Sequence, residues 1–71
     1  MDEESIRFYA HVQAVVGEMK ALEIGVQGMI ADNAEREHRG EAPAWTGDMF
    51  RQAESDMLSL VNVLRRIVNA T

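Results

Sequence analysis

Between residues 8 and 33 the large apolar side chains recur at alternating steps of four and three: Phe8, Val12, Val15, Met19, Leu22, Val26 and Met29. A half-buried strand would alternate every second residue. This spacing instead sets the side chains along one side of an α-helix, at the a and d positions of a helix packed against others. Tyr9, Val16 and Ile30 each stand one residue beyond that line and widen it. Asp2 suits an N-cap, and Glu3 and Glu4 would face the positive end of the helix dipole. No proline precedes Pro43. The pattern predicts a helix over 3–38, roughly 50 Å long at about 1.5 Å per residue.

A second line of small residues, Ala10, Ala14, Gly17, Ala21, Gly25 and Gly28, runs along the opposite side of this helix. Glycine inside a helix costs up to about 1 kcal/mol relative to alanine. Three on one line suggest close approach of another backbone; the plainer alternative is a solvent face that bends near Gly25 and Gly28. From Asp32 to Glu41 the chain turns polar, with Asn33 and Arg36 still in the a/d register. Gly40 suits the C-cap, and Pro43 enforces the stop.

The second helix is predicted over 46–69, after a loop at 39–45. Thr46 is a good N-cap, Asp48 lies in the first turn, and Trp45 and Phe50 hold the two positions of a hydrophobic staple. Phe50, Ala53, Met57, Leu60, Leu64 and Ile67 form its stripe, flanked by Val61 and Val68. Arg65 and Arg66 suit the negative end of its dipole. The expected architecture is all-α, an antiparallel helical hairpin with a long first helix, in one domain over 1–71. Its shorter second helix would leave Ile6, Phe8 and Tyr9 exposed. A homodimeric four-helix bundle covers them, and a short third helix folded back from the N-terminus is the competing solution.

Composition narrows the class. At 71 residues, stability calls for very regular packing, a disulfide, a metal or oligomerisation. The sequence has no cysteine, which removes disulfides and thiolate metal sites and fits a reducing compartment. No run approaches the roughly 18–20 apolar residues of a membrane span. The acidic start, Asp2-Glu3-Glu4, is the reverse of a signal peptide. A soluble, cytoplasmic protein is expected. The net charge of −5 speaks against direct DNA binding and suits a basic protein partner or simple solubility.

Candidate chemistry is sparse. Glu35-x-x-His38 has the spacing of carboxylate-bridged di-iron bundles, yet Arg36 and Arg39 flank it and only Glu54 and Asp56 stand nearby on the second helix. No metal and no cofactor are expected. His11 reads as a boundary residue. No serine, threonine or lysine has an activating partner, and no glycine-rich phosphate loop occurs, so no catalytic residues are assigned. The candidate binding site is the polar corner of Asn33, Arg36, His38, Arg39, Trp45 and Arg51, where arginine forks beside an aromatic ring suit phosphate or carboxylate. Surface pairing with Glu35, Glu37 and Glu41 is the competing reading.

The run Met29-x-x-x-Asn33-x-x-Arg36-x-x-x-Gly40, followed by Ala44-Trp45 and Phe50, resembles small accessory proteins of bacterial prophages and covers about a third of the chain. That resemblance implies an inhibitor of a bacterial defence system, of the anti-CRISPR kind. The hairpin also resembles phage proteins that sequester cyclic nucleotides. Two functions follow as expectations. One is a non-enzymatic, dimeric protein-binding module acting as a phage-type inhibitor or regulator. The other is an oligomer that sequesters a small anionic nucleotide with Arg36, Arg39 and Arg51.

Overall fold

The computed structural model describes residues 2–70; Met1 and Thr71, the ends of the expected domain, lie outside the described residues. Two helices, α1 (Glu3–His38) and α2 (Gly47–Asn69), fold into a hairpin. The hairpin is one layer thick, with Cα dimensions of 57 × 19 × 9 Å. At about 1.5 Å per residue α1 alone accounts for nearly all of the long dimension, and it is unbroken through Gly25 and Gly28. Among the described residues no third helix folds back from the N-terminus.

Each helix end follows from its local sequence. Asp2 is extended, and its carboxylate accepts from the Ser5 backbone N–H at 2.7 Å, satisfying a donor the first turn leaves unpaired. That backbone bond, with a contribution from the Ser5 side chain, holds the Asp2 carboxyl below its usual value. A depressed carboxyl stabilises above its unfolded pKa and loses that contribution as the pH falls through its folded value. Acidifying below about pH 4 is therefore expected to fray the first turn, as read by amide hydrogen exchange at Ser5 and Ile6. Asp2→Asn, which caps without titrating, is expected to reduce that pH dependence to the part carried by Glu3 and Glu4.

At the other end of α1 the C-cap is Arg39, correcting the placement at Gly40 by one residue. Gly40 follows it with φ +74°, a left-handed conformation that glycine adopts without penalty. Its N–H donates to the Glu37 carbonyl at 3.0 Å, and the Glu41 N–H donates to the Arg36 carbonyl at 2.8 Å. These two bonds define a Schellman motif. The apolar contact that commonly closes such a motif is here an Arg36–Glu41 ion pair at 3.6 Å. Thr46 caps α2 from outside it: the Met49 N–H donates to Thr46 Oγ1 at 3.4 Å, so the helix begins at Gly47.

The two stripes meet as their spacing requires, but the seam they form is thin. Among the described residues only Val15 (5% exposed) and Ala53 (8%) are buried. Phe8, Val12, Met19, Leu22, Val26 and Met29 on α1, and Phe50, Met57, Leu60, Leu64 and Ile67 on α2, are half-buried. Phe8 departs from the exposure expected of it. The last turns of α2 reach it, and it shares a groove with Val63 and Ile67. Ile6 and Tyr9 stay exposed. A compact monomer of 8.0 kDa presents about 4,450 Å² of surface, whereas this chain presents 5583 Å², an excess of roughly 1,100 Å². One layer of two helices has no second layer to bury its broad faces.

Candidate functional site

The polar corner is a clasp built around the loop. Asn33 sits at the last inward turn of α1, where the apolar stripe gives out. Its Nδ2 donates to the Trp45 carbonyl at 2.8 Å, and the Trp45 backbone N–H donates to Asn33 Oδ1 at 3.1 Å. One amide side chain thus satisfies both backbone groups of a loop residue that no helix would pair. The Trp45 indole Nε1–H donates to Asp32 Oδ2 at 3.2 Å. Asp32 and Asn33 together hold the loop onto α1 just before the Thr46 cap. Sequence reasoning passed over Asp32, whose one signal was its place beside Asn33.

The arginines of the corner are already engaged. Arg39 donates from Nη1 to Glu35 at 2.9 Å and from Nε to Glu41 at 3.2 Å. Arg36 also faces Glu41, through the ion pair that closes the helix end. Arg51 pairs with Asp48 inside the first turns of α2. The structure thus brings Asn33, Arg36, Arg39 and Trp45 together at the loop, while Arg51 turns to its own helix. His38 makes no hydrogen bond or ion pair among the described residues. An anion entering the corner would have to displace Glu35, Glu41 or Asp48. Such exposed pairs contribute about 1 kcal/mol or less, so displacement is possible, but nothing is arranged in advance to receive the anion.

Glu35 faces Arg39, and among the described residues no three carboxylates or histidines gather in a way that could hold a metal ion. His11 lies in a shallow groove of about 520 Å³ at the open end of the hairpin, beside Phe8, Val63, Arg66 and Ile67. No described helix is long and apolar enough to cross a membrane.

The small-residue line is bare within the hairpin. A Cβ added at Gly17, Gly25 or Gly28 would meet nothing within 4 Å, so among the described residues no other backbone approaches it. Ala21, Gly25 and Gly28 form the floor of a groove of about 390 Å³ walled by Leu22, Val26, Met29 and Trp45. Gly25→Ala and Gly28→Ala are therefore each expected to stabilise the isolated protein by up to about 1 kcal/mol, through helix propensity alone. Urea denaturation measures this, and a loss of stability would show that the track is occupied by another backbone.

Comparison with known protein families, curated proteins and solved structures finds no match to the chain.

Proposed function

We propose that this chain is a non-enzymatic protein-binding module: a homodimer of hairpins, closed as a four-helix bundle, acting as a phage-type inhibitor or regulator. One observation carries the reading. The seam between α1 and α2 buries only two side chains, and the rest of both stripes stays half-exposed. Two helices in one layer need a second layer to complete a core, and a second hairpin supplies it. The contact region for another protein is the flank that carries Glu18, Asp32 and Asp56, together with the polar corner. There the open glycine track leaves backbone accessible beside negative charge, which suits a basic helix or loop of a partner. The engaged state of Arg36, Arg39 and Arg51 favours this over sequestration of a nucleotide.

Affinity capture with the purified protein from a bacterial host, compared between wild type and Glu18→Lys/Asp56→Lys, tests the reading. A protein partner retained by the wild type, weakened by salt and lost on charge reversal supports it. A tightly bound nucleotide on the purified chain, lost on Arg36→Glu/Arg39→Glu, would overturn it in favour of sequestration.

A further inference from the structure

The hairpin has two broad faces, and they differ in chemistry. One face is flanked on α1 by Tyr9, Val16, Glu23 and Ile30, each a heptad apart, and on α2 by Glu54, Val61 and Val68. Each of these lies one residue beyond a stripe position, so all project to the same side of the seam. The other face is flanked by His11, Glu18, Gly25 and Asp32, and by Met49, Asp56, Val63 and Ala70. The first flank is mostly large and apolar, and the second carries three carboxylates, an imidazole and only two large apolar side chains.

Two grooves fix the level of one helix against the other: on the second face Phe8 and Val63 share one at the open end, and on the first face Leu22, Val26, Phe50 and Ala53 share another toward the loop. Tyr9 and Val16 therefore lie alongside Val61 and Val68, with Leu58 on the rim. In the single chain Tyr9 is 60% exposed and Leu58 56%.

Charge points the same way. Five of the chain's cations are Arg7, Arg36, Arg39, Arg51 and Arg66; the first four pair with carboxylates, and Arg66 Nε donates to the Asn62 carbonyl. Lys20 and Arg65 have no such partner among the described residues, and both lie on the rim of the apolar face. Glu23 and Glu54, on the same face and in one groove, are likewise without an ion pair.

Resting on the homodimer reading above, we propose that a second copy of this chain docks on the Tyr9–Val16–Leu58–Val61–Val68 face about a twofold axis parallel to the helices. Such an axis keeps every residue at its own level and lays α1 over α2 of the other copy. The apolar cluster then meets itself, Glu23 comes level with Glu54 of the second copy, and Lys20, less than one turn along α1, is placed to bridge the two carboxylates. Arg65 comes within one turn of the Tyr9 ring of the second copy, which its long side chain spans to set a cation against an aromatic face. The excess surface of roughly 1,100 Å², spread over the whole hairpin, is of the same order as the about 800 Å² per partner that a stable interface buries. An apolar centre with a charged rim is the usual anatomy of such a contact. The acidic, glycine-bearing face stays open for a different protein.

The chain has no cysteine, so one introduced thiol is unique. Maleimide labelling of Tyr9→Cys, Leu58→Cys and Glu18→Cys, each with its subunit mass read by native mass spectrometry, tests the proposal. Tyr9→Cys and Leu58→Cys are expected to label at least about tenfold more slowly than Glu18→Cys, and to lose that protection on dilution as the dimer dissociates. Equal rates in a dimeric protein, or protection at Glu18→Cys alone, would overturn this face while leaving the dimer standing. Equal rates in a monomer would overturn both. Lys20→Glu is expected to weaken the dimer several-fold, and Lys20→Glu/Glu54→Lys to restore it. Failure of the double variant to restore association would overturn the twofold axis proposed here.

Discussion

Val15→Glu is expected to abolish the helical signal of the protein near 222 nm at room temperature. Val15 is the most enclosed apolar side chain of the hairpin, and among the described residues no polar or charged side chain is buried with it. A carboxylate there must ionise away from water or take up a proton, and an unpaired buried charge costs about 3–5 kcal/mol. At roughly 0.05–0.15 kcal/mol per residue, a chain of 71 residues holds about 4–10 kcal/mol in all. With so thin a core this protein belongs near the lower end, so one substitution consumes most of its stability. Leu22→Glu is the internal comparison. Leu22 is half-buried, and the head of a glutamate at that position reaches solvent along the edge of the seam. Leu22→Glu should therefore unfold at lower urea than wild type but keep its helices in buffer. Equal collapse at both positions would mean that the seam is closed on both faces.

Asn33→Ala is expected to lower stability by about 1–3 kcal/mol, since two bonds to the Trp45 backbone disappear and its N–H and C=O must find water. For a domain of this size that corresponds to a fall of roughly 4–8 °C in Tm per kcal/mol. The sole tryptophan reports the same event, because the half-buried Trp45 indole is released with its loop and its emission shifts to the red. Asn33→Asp separates the two halves of the clasp. It keeps an acceptor for the Trp45 N–H but sets a second oxygen against the Trp45 carbonyl. Its loss should equal or exceed that of alanine. An Asn33→Ala protein as stable as wild type would show that the loop is held by the Thr46 cap and Gly40 alone.

The fold was legible where short-range rules determine it. The steps of four and three from Phe8 to Met29, the caps at Asp2 and Thr46, and the glycine before Pro43 each specify backbone within one or two turns. The hairpin follows from joining two such stripes by a short loop. Asn33 was legible only in register. Its position said that it points inward, but its partner is a backbone twelve residues on, brought back by the path of the loop. Arg36 and Arg39 were legible as an arginine cluster. That Glu41 would pair with both depended on a Schellman ending that folds it back over the last turn. Phe8 was misjudged because helix lengths alone do not say how far α2 is slid along α1. Spacing says which residues flank each broad face, but the level of Val61 and Val68 against Tyr9 and Val16 depends on the same slide.

In the proposed assembly the hairpin completes its core with a second copy of itself. Native mass spectrometry on gently purified protein, diluted from high to low micromolar concentration, tests this most directly. The expected result is a species of about 16 kDa, twice the 8.0 kDa chain, with nothing else bound and dissociating on dilution. A chain that stays at 8.0 kDa across the whole range while retaining full helicity would contradict it, and the half-covered seam would then be stable on its own.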